Sequence, residues 1–145
     1  MSAKEPICVA RHIDHIGIAV NDVESASALF RTLFGAPEAE ILEDPGRGLK
    51  AALLEIGQTR IELLESTDES NVIGRFISSR GQGLHHVALQ VEDVQGKLKA
   101  LKMAGIPLVN EEPVHGFTGK IAFLRPEAFN QVLIELVQPH VENTK

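Results

Sequence analysis

HIGIAVNDV (His15–Val23) and HVALQVEDV (His86–Val94) are two versions of one stretch, sharing the histidine, the valine five positions on and the closing Asp-Val pair. Working outward, AALL (Ala51–Leu54) resembles IAFL (Ile121–Leu124), and RIELL (Arg60–Leu64) resembles LIELV (Leu133–Val137). The three matches keep their order, with offsets that drift only from 70 to 73 residues. Self-similarity at so steady a spacing marks an internal repeat.

Each copy reads as a strand, a helix and further strands. His15 to Val20 is short, apolar and rich in β-branched residues. Asn21 or Asp22 offers an N-cap oxygen. Val23, Ala26, Phe30 and Leu33 then follow the helical period, Leu29 and Phe34 widen the stripe, and Gly35 suits the C-cap. In the second copy Asp93 is the cap, Val94, Leu98 and Leu101 form the stripe, and Gly105 ends it. Strands are predicted around Ala51–Ile56, Arg60–Glu65, Lys120–Leu124 and Val132–Val137, with a hairpin turn at Gly57. Between the copies, Thr67 or Asp68 could cap a linker helix carrying Val72, Ile73, Phe76 and Ile77, stopped by Gly81. The expected organisation is a single domain over 1–145, with module one at about 11–65, the linker helix at about 67–82 and module two at about 83–139. Halves of this size are marginal alone and would share one core. The tail from Pro139 to Lys145 is expected to fray.

Composition narrows the function classes. Hydrophobic content of 43% and charged content of 23% are those of a globular domain. With six Phe, no Trp and no Tyr, the chain lacks the aromatic platforms that single-stranded nucleic acid needs. A net charge of −6 further disfavours nucleic-acid and anionic-membrane surfaces. One cysteine, Cys8, allows no internal disulfide and suits a reducing compartment. The first residues lack the apolar core of a secretory signal, and no apolar run reaches the roughly 20 residues of a membrane helix. A cytoplasmic protein without membrane or nucleic-acid partners is therefore expected.

Strand alternation selects the residues that can converge. His15 shares a face with Ile13, Gly17 and Ala19, and His86 shares the equivalent face with Leu84, Ala88 and Gln90. By the same rule His85 is expected to face away from His86. Glu62, between Ile61 and Leu63, and Glu135, between Ile134 and Leu136, are mid-strand carboxylates in apolar company. Buried carboxylates need compensation. If the two copies pair about a pseudo-twofold axis, His15, Glu62, His86 and Glu135 meet as two imidazoles and two carboxylates, a charge-compensated set for one divalent cation. Co, Ni, Mn and Fe would keep positions open for substrate oxygens. Zn fits less well as a structural ion, because such sites are closed and thiolate-rich.

From Ile13 to Gln138 the chain resembles the vicinal oxygen chelate superfamily and, within it, the methylmalonyl-CoA epimerases. The resemblance is carried by IDHIGIAV (Ile13–Val20), IELLE (Ile61–Glu65), GLHHVAL (Gly83–Leu89), EEP (Glu111–Pro113) and VLIELVQ (Val132–Gln138). It implies an α+β fold of two pseudo-symmetric βαβββ modules forming one eight-stranded, cupped mixed sheet around a central metal site. It also implies one divalent metal ion held by His15, Glu62, His86 and Glu135. The activity implied is interconversion of (2R)- and (2S)-methylmalonyl-CoA through a metal-stabilised enolate, with Glu135 as a catalytic proton carrier. A small acyl-CoA is then the substrate, and a homodimer the expected assembly.

Two departures from the family pattern stand out. Some epimerases place a glutamate where this chain has Ala51, and Glu43, Asp44, Lys50 and Glu55 are the nearby replacements. Relatives usually have a His-Pro-Lys segment ending in Gly-Gly where this chain has Arg125–Gln131. Lys50, Arg60, Lys120 and Arg125 are candidate cations for the CoA phosphates, the loop around Gly116 could cover the ligand, and His12, His115 and His140 are expected to be solvated. Two other functions use the same architecture: a glyoxalase-I-like lyase or isomerase acting on a thiol adduct, and a ligand-sequestering module without chemistry.

Overall fold

The computed structural model describes residues 5–140. Its eight strands are β1 (His12–Ala19), β2 (Ile41–Asp44), β3 (Leu49–Ile56), β4 (Thr59–Ser66), β5 (Gly83–Gln90), β6 (Val114–His115), β7 (Gly119–Leu124) and β8 (Ile134–Pro139). The helices are α1 (Val23–Phe34), α2 (Val72–Arg80) and α3 (Val94–Met103). The chain divides into two compact units: one from His15 to His86, the other from Val87 onward together with the residues ahead of His15.

In the His15–His86 unit, β1 runs parallel to β4, β4 antiparallel to β3, and β3 antiparallel to β2. In the Val87 unit, β5 runs parallel to β8, β8 antiparallel to β7, and β7 antiparallel to β6. The two schemes are the same, as the internal repeat requires. This mixed pairing of eight strands with three helices is the α+β architecture of the vicinal oxygen chelate fold.

The helix starts repeat too. Asp22 accepts hydrogen bonds from the Glu24 and Ser25 amides at 3.0 and 3.1 Å, and Asp93 accepts from Gly96 at 3.2 Å. The Glu65 carboxylate, at the end of β4, accepts from the Val23 amide at 2.9 Å. Its counterpart Gln138, at the end of β8, accepts from the Val94 amide at 3.1 Å. Both devices satisfy amides that a helix start leaves without a partner in the helix. Val23, Ala26 and Phe30 pack on Ala52, Leu54 and Leu63, whereas Val94, Leu98 and Leu101 pack on Leu124 and Leu136.

Some expectations need correction. Leu29, Leu33 and Phe34 do not join the α1 stripe but stand 55%, 60% and 70% exposed. The inward side of α1 is the narrower set of Val23, Ala26, Ser27 and Phe30. The α2 cap is Asn71, whose carbonyl accepts from Gly74 at 2.8 Å, because Asp68 is engaged by the amide and hydroxyl of Ser70 in its own turn. Helix α3 stops at Met103, with Ala104 as its cap and Gly105 in the left-handed region just after it. The fraying expected of the C-terminal tail falls, after His140, outside the described residues. No helix among the described residues is long and apolar enough to cross a membrane.

The departure at Arg125–Gln131 has a backbone consequence. Pro126–Phe129 forms a 3₁₀ turn, and Asn130 and Gln131 then adopt φ of 57° and 70°. Asparagine tolerates this region, but glutamine gains nothing from it. Gln131→Gly is expected to stabilise the protein by about 0.5–1 kcal/mol, the relief of left-handed strain exceeding the entropy glycine adds to the unfolded chain. Urea titration checks this, and an unchanged or lowered midpoint would refute it.

Candidate metal centre

The register of β1, β3 and β4 places Gly17 and Leu53 on either side of Glu62, so His15, Gly17, Ala51, Leu53 and Glu62 share one face of their unit. The opposite face, with Ile18, Leu54 and Leu63, goes to the α1 core. On the first face His15 is fully buried, and Glu62 and His86 are 5% and 3% exposed. The His15 and His86 Nε2 atoms lie 3.1 Å apart, and each is 3.5 Å from Glu62 Oε1. The imidazoles meet edge to face, with centroids 5.2 Å apart. Glycine at position 17 makes this possible, because a Cβ there would overlap the His86 ring.

The electrostatics follow from burial and neighbours. Burial pushes the Glu62 carboxyl up, but the His86 hydrogen bond, the His15 and His86 charges and, last, the Arg47 charge outweigh it. The carboxyl ends below its ordinary range and stays ionised.

Two imidazole nitrogens and one carboxylate oxygen are a donor set suited to a divalent cation. With bonds of about 2.1 Å, neighbouring ligand atoms lie about 3.0 Å apart at right angles and about 3.4 Å apart in a tetrahedron. Of the three separations, 3.1 Å falls inside that range and the two of 3.5 Å lie just above its upper end.

Glu135 belongs to the other unit, on β8, and is 3% exposed. Its position repeats that of Glu62. Glu62 pairs with Gly17, two residues after His15, and Glu135 pairs with Ala88, two residues after His86.

Ala51 is fully buried on the Glu62 face. Of its four nearby replacements, Asp44 and Glu55 share that face by register, whereas Glu43 and Lys50 lie on the other and pair at 3.7 Å. Arg47 bonds Asp44 at 2.6 Å and holds its carboxyl below the usual range. Among the candidate phosphate-binding cations, Lys120 is exposed and Arg125 donates to the Leu108 carbonyl at 3.3 Å. His12, His115 and His140 are exposed, as expected.

His85 does not turn away from its neighbour. Its Nδ1 lies 2.9 Å from His86 Nδ1, and its ring meets Phe76 of α2 edge-on at 5.0 Å. Burial first, then the His86 and Arg80 charges, lower its pKa to about 4, against the pull of Glu62. A histidine kept neutral in the fold binds its proton only on unfolding, so stability is lost as pH falls from about 6.5 toward about 4. The metal-free protein is expected to lose roughly 3 kcal/mol across that window. Urea midpoints at stepped pH values test this, and His85→Phe should flatten the profile between pH 5 and 6.5; an equally steep profile in the variant would refute the assignment.

Residues 14–123 match the model of the glyoxalase/bleomycin resistance protein/dioxygenase superfamily. The ethylmalonyl-CoA/methylmalonyl-CoA epimerase of Cereibacter sphaeroides is 35% identical over 129 residues, covering 87% of this chain and 96% of that one. The chain belongs to the methylmalonyl-CoA epimerase family. That places it among the isomerases. The methylmalonyl-CoA epimerase of Mycobacterium tuberculosis is similar in structure, with a TM-score of 0.86, 31% identity and coverage of 97% of this chain and 94% of that one. So is a methylmalonyl-CoA epimerase bound to methylmalonyl-CoA and NH4+, with a TM-score of 0.85, 30% identity and coverage of 92% and 97%. Within this family the His15, Glu62 and His86 cluster is the candidate centre of the chemistry.

Proposed function

We propose that this protein interconverts the (2R) and (2S) epimers of methylmalonyl-CoA, with His15, Glu62, His86 and Glu135 holding one divalent cation. The observation that carries the reading is the buried convergence of His15, His86 and Glu62 on one point. The repeat adds Glu135 as the counterpart of Glu62, and the substrate follows from a family relative bound to methylmalonyl-CoA. Co, Ni, Mn, Fe and Zn all suit two imidazoles and two carboxylates. When bound, such an ion supplies Lewis-acid stabilisation for the negative charge that develops on the substrate.

The proton is moved by the chain's own groups. Glu135 takes the C2 proton, the C–H bond's electron pair moves into the thioester as an enolate, and a proton returned to the opposite face of C2 inverts the centre. Alanine at position 51 cannot supply that second proton; of its four nearby replacements Asp44 and Glu55 share its face, and Asp44 is already ion-paired with Arg47. Burial around His15 and Glu62 excludes water and strengthens every charge interaction at the site. The same reading includes a cytoplasmic homodimer, for which the exposed Leu29, Leu33 and Phe34 of α1 offer an apolar face. Light scattering tests the assembly.

The test of function is solvent deuterium incorporation at C2 of methylmalonyl-CoA, using cobalt-loaded protein and an EDTA-stripped control. Metal-dependent exchange with inversion, resolved by chiral analysis of the product, is the expected result. No exchange by protein carrying stoichiometric metal would overturn the epimerase reading in favour of a thiol-adduct substrate.

A further inference from the structure

We infer that His85 is a positioning residue for the metal centre, accepting the Nδ1 proton of His86 and so committing His86 to present Nε2 to the cation. The inference rests on the metal reading above and adds a residue outside its four ligands.

The two nitrogens of His86 have different surroundings. Nε2 faces His15 Nε2 at 3.1 Å and Glu62 Oε1 at 3.5 Å, whereas Nδ1 faces His85 Nδ1 at 2.9 Å. A neutral imidazole carries one proton, and the nitrogen that bears it cannot ligate. At 2.9 Å the facing Nδ1 atoms share one proton between them. Were that proton on His85, the His86 proton would sit on Nε2 and occupy the ligand position. Ligation through Nε2 therefore fixes the direction: His86 Nδ1 donates and His85 Nδ1 accepts. Ligating histidines are commonly oriented by a partner on the other ring nitrogen. Here that partner is the preceding residue of the same strand.

His85 is itself held in place. Its ring stands nearly perpendicular to that of His86, at 88° with centroids 5.1 Å apart, and nearly perpendicular to that of Phe76, at 83° and 5.0 Å. Phe76 is covered in turn by the Arg80 guanidinium, 5.6 Å from the ring centroid. Helix α2 thus braces the centre through Phe76, His85 and His86.

The experiment reads tautomers and affinity rather than turnover. In zinc-loaded protein with ¹⁵N-labelled histidine, long-range ¹H–¹⁵N spectra should show His86 Nδ1 protonated and slowly exchanging, with His85 Nδ1 bare. His85→Phe should weaken cobalt binding about 10- to 100-fold. His85→Gln, whose side-chain oxygen can accept the same proton, should recover most of that loss. A packing role alone would lower the melting temperature of both metal-free variants without separating their metal affinities. Wild-type affinity in His85→Phe, or a bare His86 Nδ1 in metal-loaded protein, overturns the inference and leaves the metal reading standing. If His85→Phe does not fold, the tautomer assignment in the unsubstituted protein decides alone. A chain that takes up no divalent ion overturns both.

Discussion

Glu135→Gln is expected to lower deuterium incorporation at C2 of methylmalonyl-CoA by about 10³-fold, within the range ascribed to a positioned general base. The substitution keeps the shape of the side chain and an oxygen able to ligate, but removes the ability to hold a proton. Metal content should therefore change far less than exchange. Glu62→Gln is the internal control. Glu62 repeats Glu135 in register and burial, one opposite Gly17 and the other opposite Ala88. If Glu62 serves only as a ligand, its glutamine variant should keep exchange within about tenfold, since an amide oxygen replaces a carboxylate oxygen. The two variants differ by one atom from the same parent and share the same kind of strand position. Equal losses in both would mean that the effect is electrostatic or structural, and that Glu135 has no special part in moving the proton.

The convergence of three side chains is more legible in the sequence than the fold's edges, for physical reasons. His15, Glu62 and His86 were readable because strand alternation and a two-copy repeat constrain the same residues twice, and they do meet, within 3.5 Å. Strands β2 and β6 leave no mark in the sequence, since they have four and two residues and no alternating apolar face to betray them. The α2 cap moved to Asn71 because Ser, Thr, Asp and Asn crowd positions 66–71, and only the backbone decides which oxygen faces the helix. His85 departs from the parity expectation for a more instructive reason. Alternation fixes the direction of Cβ, and an imidazole adds a ring whose Nδ1 can reach back along the strand to the neighbouring side chain. Parity therefore identifies ligands better than it excludes their supports. Nothing local marked Gly17 as more than a strand residue. Its meaning appears only when the His86 ring is seen lying against it.

Gly17→Ala is accordingly expected to weaken divalent-metal binding at least 100-fold, although position 17 offers no ligand atom. The new methyl group would occupy space held by the His86 imidazole, and both neighbours of Gly17 on that face are fixed: Glu62 by β4 pairing and His86 by burial. The backbone itself would accept alanine, because Gly17 is absent from the positive-φ residues and sits in regular strand. The conflict is therefore with the ring alone. His86 can yield only by swinging its Nε2 away from His15 and Glu62, which dismantles the donor set. Overpacking of this kind in a close-packed interior costs about 1–3 kcal/mol, so the metal-free variant should also melt several degrees lower. The second copy carries Ala88 at the corresponding strand position, fully buried and opposite Glu135, so a methyl group is not excluded by the strand pattern as such. Cobalt titration together with melting curves of metal-free protein separates the two losses. A Gly17→Ala protein that melts lower yet binds cobalt as wild type does would show that the cation does not depend on His86 in this position, and would count against His86 as a ligand.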